Sequence, residues 1–304
     1  LAALAVGCGR RSGSDAKDTP HIYVADWMNH RLVCIDGVQG RSPMALEGRF
    51  RFPVGVCADA TGRIYVSEQD PSRIVRIDDL QGTNWTVFTR PNAARKLRNK
   101  YMGSWIFVDY AARIYTTYDG DHRIICMDDL RGTNTRIFGS EGSGPGQFRY
   151  PAGIWVDAGG RIFVADFDNF RIVRIDDMQG TNWTTFGHYG SGLGEFINPC
   201  GIWGDPQGRL YIADQGNDRV VRIDDMNGAN WTEIGTFGTD PEPGNLYAPC
   251  GVCVDRGGRI YVTESSSNSR VIRMDDMQGT NWTVLSSLGG GAEEFHSPMG
   301  IVVR

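Results

Sequence analysis

The 304-residue chain is predicted to be an all-β, six-bladed propeller of four-stranded antiparallel blades, and three observations predict it. One block recurs along the chain, each copy holds four short β-prone runs, and the two ends supply complementary parts of a single block. The register is marked by an aspartate at Asp36, Asp78, Asp128, Asp176, Asp224 and Asp275, at intervals of 42, 50, 48, 48 and 51 residues. Those intervals suit propeller blades. The runs are rich in Ile, Val, Tyr, Phe, Trp and Thr, are separated by Gly, Asp and Asn, and show no helical period. Arranged radially, such units expose only short, protected edges.

The clearest unit gives each strand in order. Pro151 to Asp157 is the first run, Gly160 to Asp166 the second, Arg171 to Asp177 the third, and Gly180 to Gly187 the fourth. The first unit opens at His21 to Asp26, which is a second run, so its own first run is missing there. The segment Pro298 to Val303 is a first run with no unit after it. This C-terminal strand is therefore predicted to join the N-terminal blade and lock the ring.

Ile22 to Leu32 resembles the core of an NHL repeat, as does Phe163 to Ile172, although Arg31 stands between His30 and Leu32 where the family name implies Asn-His-Leu. Gly139 to Phe148 resembles the glycine-rich connector of such repeats. The resemblance spans residues 20–304 and implies the propeller fold. It implies no single function, because NHL-type propellers serve as protein-binding modules, RNA readers, sensor domains, lyases and lactonases.

Residues 1–19 read differently. Leu1 to Gly7 is small and apolar and resembles the tail of a secretory signal, and Ala5-Val6-Gly7-Cys8 resembles a lipobox with Cys8 as the acylated residue. The expectation is an exported protein, either a bacterial envelope lipoprotein or a periplasmic or extracellular one, with a linker leading into a propeller over 20–304. No later stretch reaches the roughly 20 apolar residues of a membrane span, so membrane contact is expected only through a lipid anchor. A net charge of −5 disfavours nucleic acid.

Several motifs recur with the fold. Asp26, Glu68, Asp166, Asp214 and Glu264 end second strands and are followed by Arg31, Arg73, Arg171, Arg219 and Arg270, so each acid is expected to pair with the arginine of its own blade. The alternative is a ring of carboxylates around a cation. Asn84, Asn182, Asn230 and Asn281 match glycosylation sequons, but they repeat with Thr-Asn-Trp-Thr and read as structural. Gly142 to Gly146 lacks the following helix that a phosphate loop needs and reads as a connector. Cys34, Cys57, Cys126, Cys200, Cys250 and Cys253 complete no zinc spacing and read as buried small residues. Cys200 and Cys250 hold matching Pro-Cys-Gly positions in adjacent blades, where a disulfide across the axis would need Cα atoms within about 7 Å.

The third unit departs most from the repeat. Trp105 replaces a turn glycine, Tyr118 replaces the acid, and Asp119 and Asp121 are expected to pair with Arg123 instead. The connector before this unit carries Arg90, Arg95, Lys96, Arg98 and Lys100 without an acid. Connector and second-to-third-strand turns share one face, so Trp27, Tyr118, Phe167, Phe170, Trp105, Arg95, Lys96 and Arg98 are the expected ligand-binding residues. The alternative is that these aromatics pack between blades. The preferred reading is a non-enzymatic module binding a protein, a glycan or a small anionic ligand, with no cofactor. The rival is a lyase or lactonase holding a divalent cation in the central channel. Against it, the aligned channel positions are Val54, Ser104, Ala152, Cys200, Cys250 and Met299, none of them a hard-cation ligand.

Overall fold

A computed structural model describes residues 20–37, 41–70, 72–89, 104–291 and 294–304. The described residues form six four-stranded antiparallel sheets. Blade 4 shows the plan: Pro151–Val156, Ile162–Asp166, Arg171–Ile175 and Thr184–Phe186 pair in sequence order. In blade 1, His21–Asp26 lies between Arg31–Asp36 and the C-terminal strand Pro298–Val303, with Tyr23 opposite Val302 and Val24 opposite Ile301. The ring is thus closed by the two ends of the chain, as the repeat register predicts.

The second and third strands of each blade are buried on both faces, which is why they read as near-continuous apolar runs such as Ile22-Tyr23-Val24-Ala25 and Ile172-Val173. The first strands surround the axis. Five of them carry a glycine, and a Cβ there would strike the next blade's backbone: the Cys200 carbonyl at 2.5 Å from Gly153, the Val54 carbonyl at 2.6 Å from Gly300, and the Cys250 carbonyl beside Gly201. Close backbone approach around the axis therefore requires the missing side chain. Gly201→Ala is expected to lower the unfolding free energy by about 1–3 kcal/mol, the usual penalty for overpacking. Urea titration of the purified variant checks it, and an unchanged midpoint would mean that the inner strands can spread.

Among the described residues four connectors add a parallel two-residue clasp, for example His188–Tyr189 against Glu195–Phe196 and Thr236–Phe237 against Asn245–Leu246. One member of each clasp faces inward: Phe148, Phe196, Leu246 and Phe295 are fully buried. Trp183 packs on Phe148 and Trp231 on Phe196, at ring separations of 5.3 and 5.5 Å. The Asn of Thr-Asn-Trp-Thr donates to the register aspartate, as in Asn182 to Asp176 at 2.7 Å and Asn281 to Asp275 at 2.6 Å. These asparagines serve the turn, as their recurrence suggests.

Candidate functional site

The acid–arginine pairs are intra-blade clamps. Arg31 donates to Asp26, Arg171 to Asp166 and Arg219 to Asp214, each at 2.8 Å, while Arg73 and Arg270 pair with Glu68 and Glu264. The second carboxylate oxygen accepts a backbone N–H from the connector, from Arg149 at 2.7 Å and from Ile197 at 2.8 Å. Each guanidinium also reaches carbonyls of the connector that precedes its own blade, Arg171 to Ser143 at 2.7 Å and Arg219 to Glu195 at 2.9 Å. Burial pushes the carboxyls of Asp26, Asp166 and Asp214 up, and these donors pull them back. The acids are engaged by donors of their own blade and of the adjoining connector.

A second tie reaches forward. His30 and His122 sit at the left-handed end of the second-to-third-strand turn, with φ of 55° and 57°. Their Nδ1 atoms accept the backbone N–H of Phe52 at 3.1 Å and Tyr150 at 3.0 Å, in the connector to the next blade. Asp218 does the same for Ala248 at 2.8 Å. These histidines join blades and do not converge on the axis.

The structure corrects part of the expected ligand face. Tyr118, Phe167 and Trp105 are 4%, 7% and 8% exposed and pack in the core, so they present no docking surface. Tyr118 occupies the strand position of the clamp acid, and that position points inward in every blade. Trp27 is half-buried and donates to Gln69 at 3.0 Å, and Phe170 is half-buried against Tyr189. Arg123 is exposed and makes no ion pair with Asp119 or Asp121, contrary to expectation. Arg95, Lys96, Arg98 and Cys8 lie outside the described residues.

What the connector face does present was missed by motif reading. Tyr189, Phe237 and Leu288 take equivalent clasp positions and are 64%, 68% and 53% exposed; Leu193 is 79% exposed and Met28 39%. Their signal was available: an apolar residue precedes the connector glycine in Tyr189-Gly190, Phe237-Gly238 and Leu288-Gly289. Between blades 5 and 6 the same face has a shallow depression of about 410 Å³ bordered by Gln215, Asp218, Tyr247 and Ser266. The axis differs. Val54, Ala152, Cys200, Cys250 and Met299 are buried, and the Cys200 and Cys250 thiols touch at 3.0 Å. Burial holds the Cys200 thiol well above its ordinary pKa.

The NHL repeat pattern matches residues 148–175 and 246–273. No curated protein matches the chain. Among solved structures, a chain of a nidogen/laminin complex superposes with a TM-score of 0.68 at 18% identity, covering 93% of this chain and 98% of that one. A protein of unknown function from Bacteroides caccae gives 0.65 at 14% identity, covering 94% and 98%. Virginiamycin B lyase from Staphylococcus aureus gives 0.57 at 19% identity, covering 91% and 87%. At these identities the likeness speaks to fold alone, and the chain is a six-bladed β-propeller that carries NHL repeats at the two matched segments.

Proposed function

We propose that this propeller is a protein-binding module whose partner docks on the connector face over blades 4 to 1. One observation carries the reading: of the eight large apolar side chains exposed among the described residues, five, Tyr189, Leu193, Phe237, Leu288 and Met28, stand on that face, while Val87, Tyr110 and Ile137 lie elsewhere. Exposed apolar side chains gathered on one side mark interaction surfaces, and a few such anchors carry most binding energy. The nidogen/laminin likeness is consistent with a propeller used in protein association. The lyase reading has less support, because the axial positions are apolar and the clamp carboxylates are occupied. Export, and an anchor through acylated Cys8, belong to the same proposal and rest on the Leu1 to Cys8 sequence alone.

The test compares the full chain with the triple variant Tyr189→Asp, Phe237→Asp, Leu288→Asp as baits in extracts of the source cells. The native chain is expected to retain a defined protein, and the variant to bind the purified partner at least about 30-fold more weakly, the loss from a single 2 kcal/mol anchor, with an unchanged melting temperature. Equal capture by both baits would place the partner elsewhere. Turnover of virginiamycin B or quinupristin by the native chain would favour the lyase.

A further inference from the structure

We infer that His21, Cys34 and Asp36 form a binding site for a transition-series divalent cation, zinc above others, on the face of the disc opposite the connectors. His21 begins the second strand of blade 1, and Asp36 ends the third strand directly opposite it. Their side chains and Cys34 aim at one point: His21 Nδ1 lies 2.6 Å from Asp36 Oδ1, and Cys34 Sγ lies 3.9 Å from that nitrogen and 3.8 Å from that oxygen. Tetrahedral zinc with bonds of about 2.0–2.3 Å holds such donors roughly 3.3–3.6 Å apart. The sulfur is already placed, and only the nitrogen–oxygen pair must open, by about 0.7 Å on the same geometry.

Departure from the repeat makes this more than a chance meeting. Where blade 1 has His21, the other blades have Arg63, Arg113, Arg161, Arg209 and Arg259. Where it has Cys34, blades 2, 4, 5 and 6 have Arg76, Arg174, Arg222 and Arg273, each beside the register aspartate, with Arg174 and Arg222 at 3.7 Å. Blade 3 has Cys126 there, but Arg136 from its fourth strand reaches both Cys126 at 3.4 Å and Asp128 at 3.2 Å. Blade 1 thus exchanges two guanidinium groups for an imidazole and a thiol around a retained carboxylate. Among the described side chains, Arg304 is directed at the Gly62 carbonyl, 3.1 Å away.

The donor set selects the metal. One sulfur, one nitrogen and one oxygen suit zinc and its neighbours, and disfavour calcium and magnesium, which want oxygen alone. Cys34 is 1% exposed and forms the floor, and Tyr23 bonds to it as an outer-shell partner. The His21 and Asp36 side chains are 43% and 31% exposed, so solvent reaches the site and water completes the coordination. A nucleophilic triad does not fit, because Asp36 and Cys34 address the same imidazole nitrogen. Binding releases the Cys34 thiol proton to solvent and moves the imidazole proton to Nε2. The metal then ties two strands of the blade that closes the ring.

The experiment titrates metal-free full chain with Co²⁺ and then Zn²⁺. The expected result is a thiolate-to-cobalt charge-transfer band, displacement by one equivalent of Zn²⁺, and a melting temperature raised by Zn²⁺. Cys34→Ser is expected to lose the band. His21→Ala, at a half-exposed strand end where folding is safe, is expected to weaken zinc by more than about 100-fold, beyond what outer-shell changes do. A cobalt spectrum without the thiolate band, or a band that survives in both variants, overturns the assignment.

Discussion

Asp166→Ala is expected to lower the unfolding free energy by about 3–5 kcal/mol, because breaking a buried ion pair leaves its partner uncompensated. Asp166 is fully buried and accepts from Arg171 at 2.8 Å, Asn169 at 2.8 Å and the Arg149 N–H at 2.7 Å. Alanine would take the acceptor from the Arg149 N–H and the Arg171 Nε, leaving Arg171 and Asn169 only their connector carbonyls, and the Arg171 side chain is only 13% exposed. No second carboxylate stands by among the described residues, whereas Arg219 would keep Glu233 at 2.7 Å. The contrast is Asp70→Ala. Its pair with Arg51 spans 3.4 Å with both side chains 63% exposed, and such surface pairs contribute at most about 1 kcal/mol. Urea unfolding of both variants decides the matter. If Asp166→Ala matched Asp70→Ala, the connector would be held by its clasp and not by the clamp.

The clamp was readable because both partners recur. An acid five residues before an arginine, or six in the last blade, appears in five units, and a pair that repeats with the fold serves the fold. Blade closure was readable for the same reason: Pro298 to Val303 copies Pro151 to Val156 in pattern, and it pairs with the second strand of blade 1. The aromatic face was not readable. Tyr118 belongs to a strand whose partners are buried on both sides, and Phe167 starts the short 3-10 turn Phe167–Asn169, which folds it inward. Turn residues look exposed in sequence, yet this turn leans on the preceding connector, where Asn169 donates to the Gly142 carbonyl at 2.8 Å. Tyr189 and Phe237 were overlooked because a two-residue parallel clasp has no period to detect. His21 and Cys34 escaped because metal spacing was sought among cysteines. Aligning the strand ends would have shown arginine replaced at both places.

Oxidation of Cys200 and Cys250 to a disulfide is expected to stabilise the propeller by up to about 4 kcal/mol, the chain-entropy value for a closed loop of roughly 50 residues. The sulfurs lie 3.0 Å apart on neighbouring first strands, so a bond of about 2.05 Å needs an approach of only about 1 Å. The two thiols lose two hydrogens to an added two-electron oxidant such as a diazene amide. The rate should be slow. Both cysteines are fully buried, and burial keeps Cys200 protonated, while thiolate is the reactive form. Intact mass and peptide mapping follow the bond, urea unfolding follows the stability, and Cys250→Ser is the control. If the mapped bond forms and stability falls, native-state strain exceeds the entropic gain, and the close first-strand packing that requires Gly153, Gly201 and Gly251 is the place where it arises. If the folded chain stays reduced while the urea-unfolded chain oxidises, the axis is too rigid to admit reagent. In that case the thiol pair acts as packing, and the six first strands form a closed hub with no access from either face.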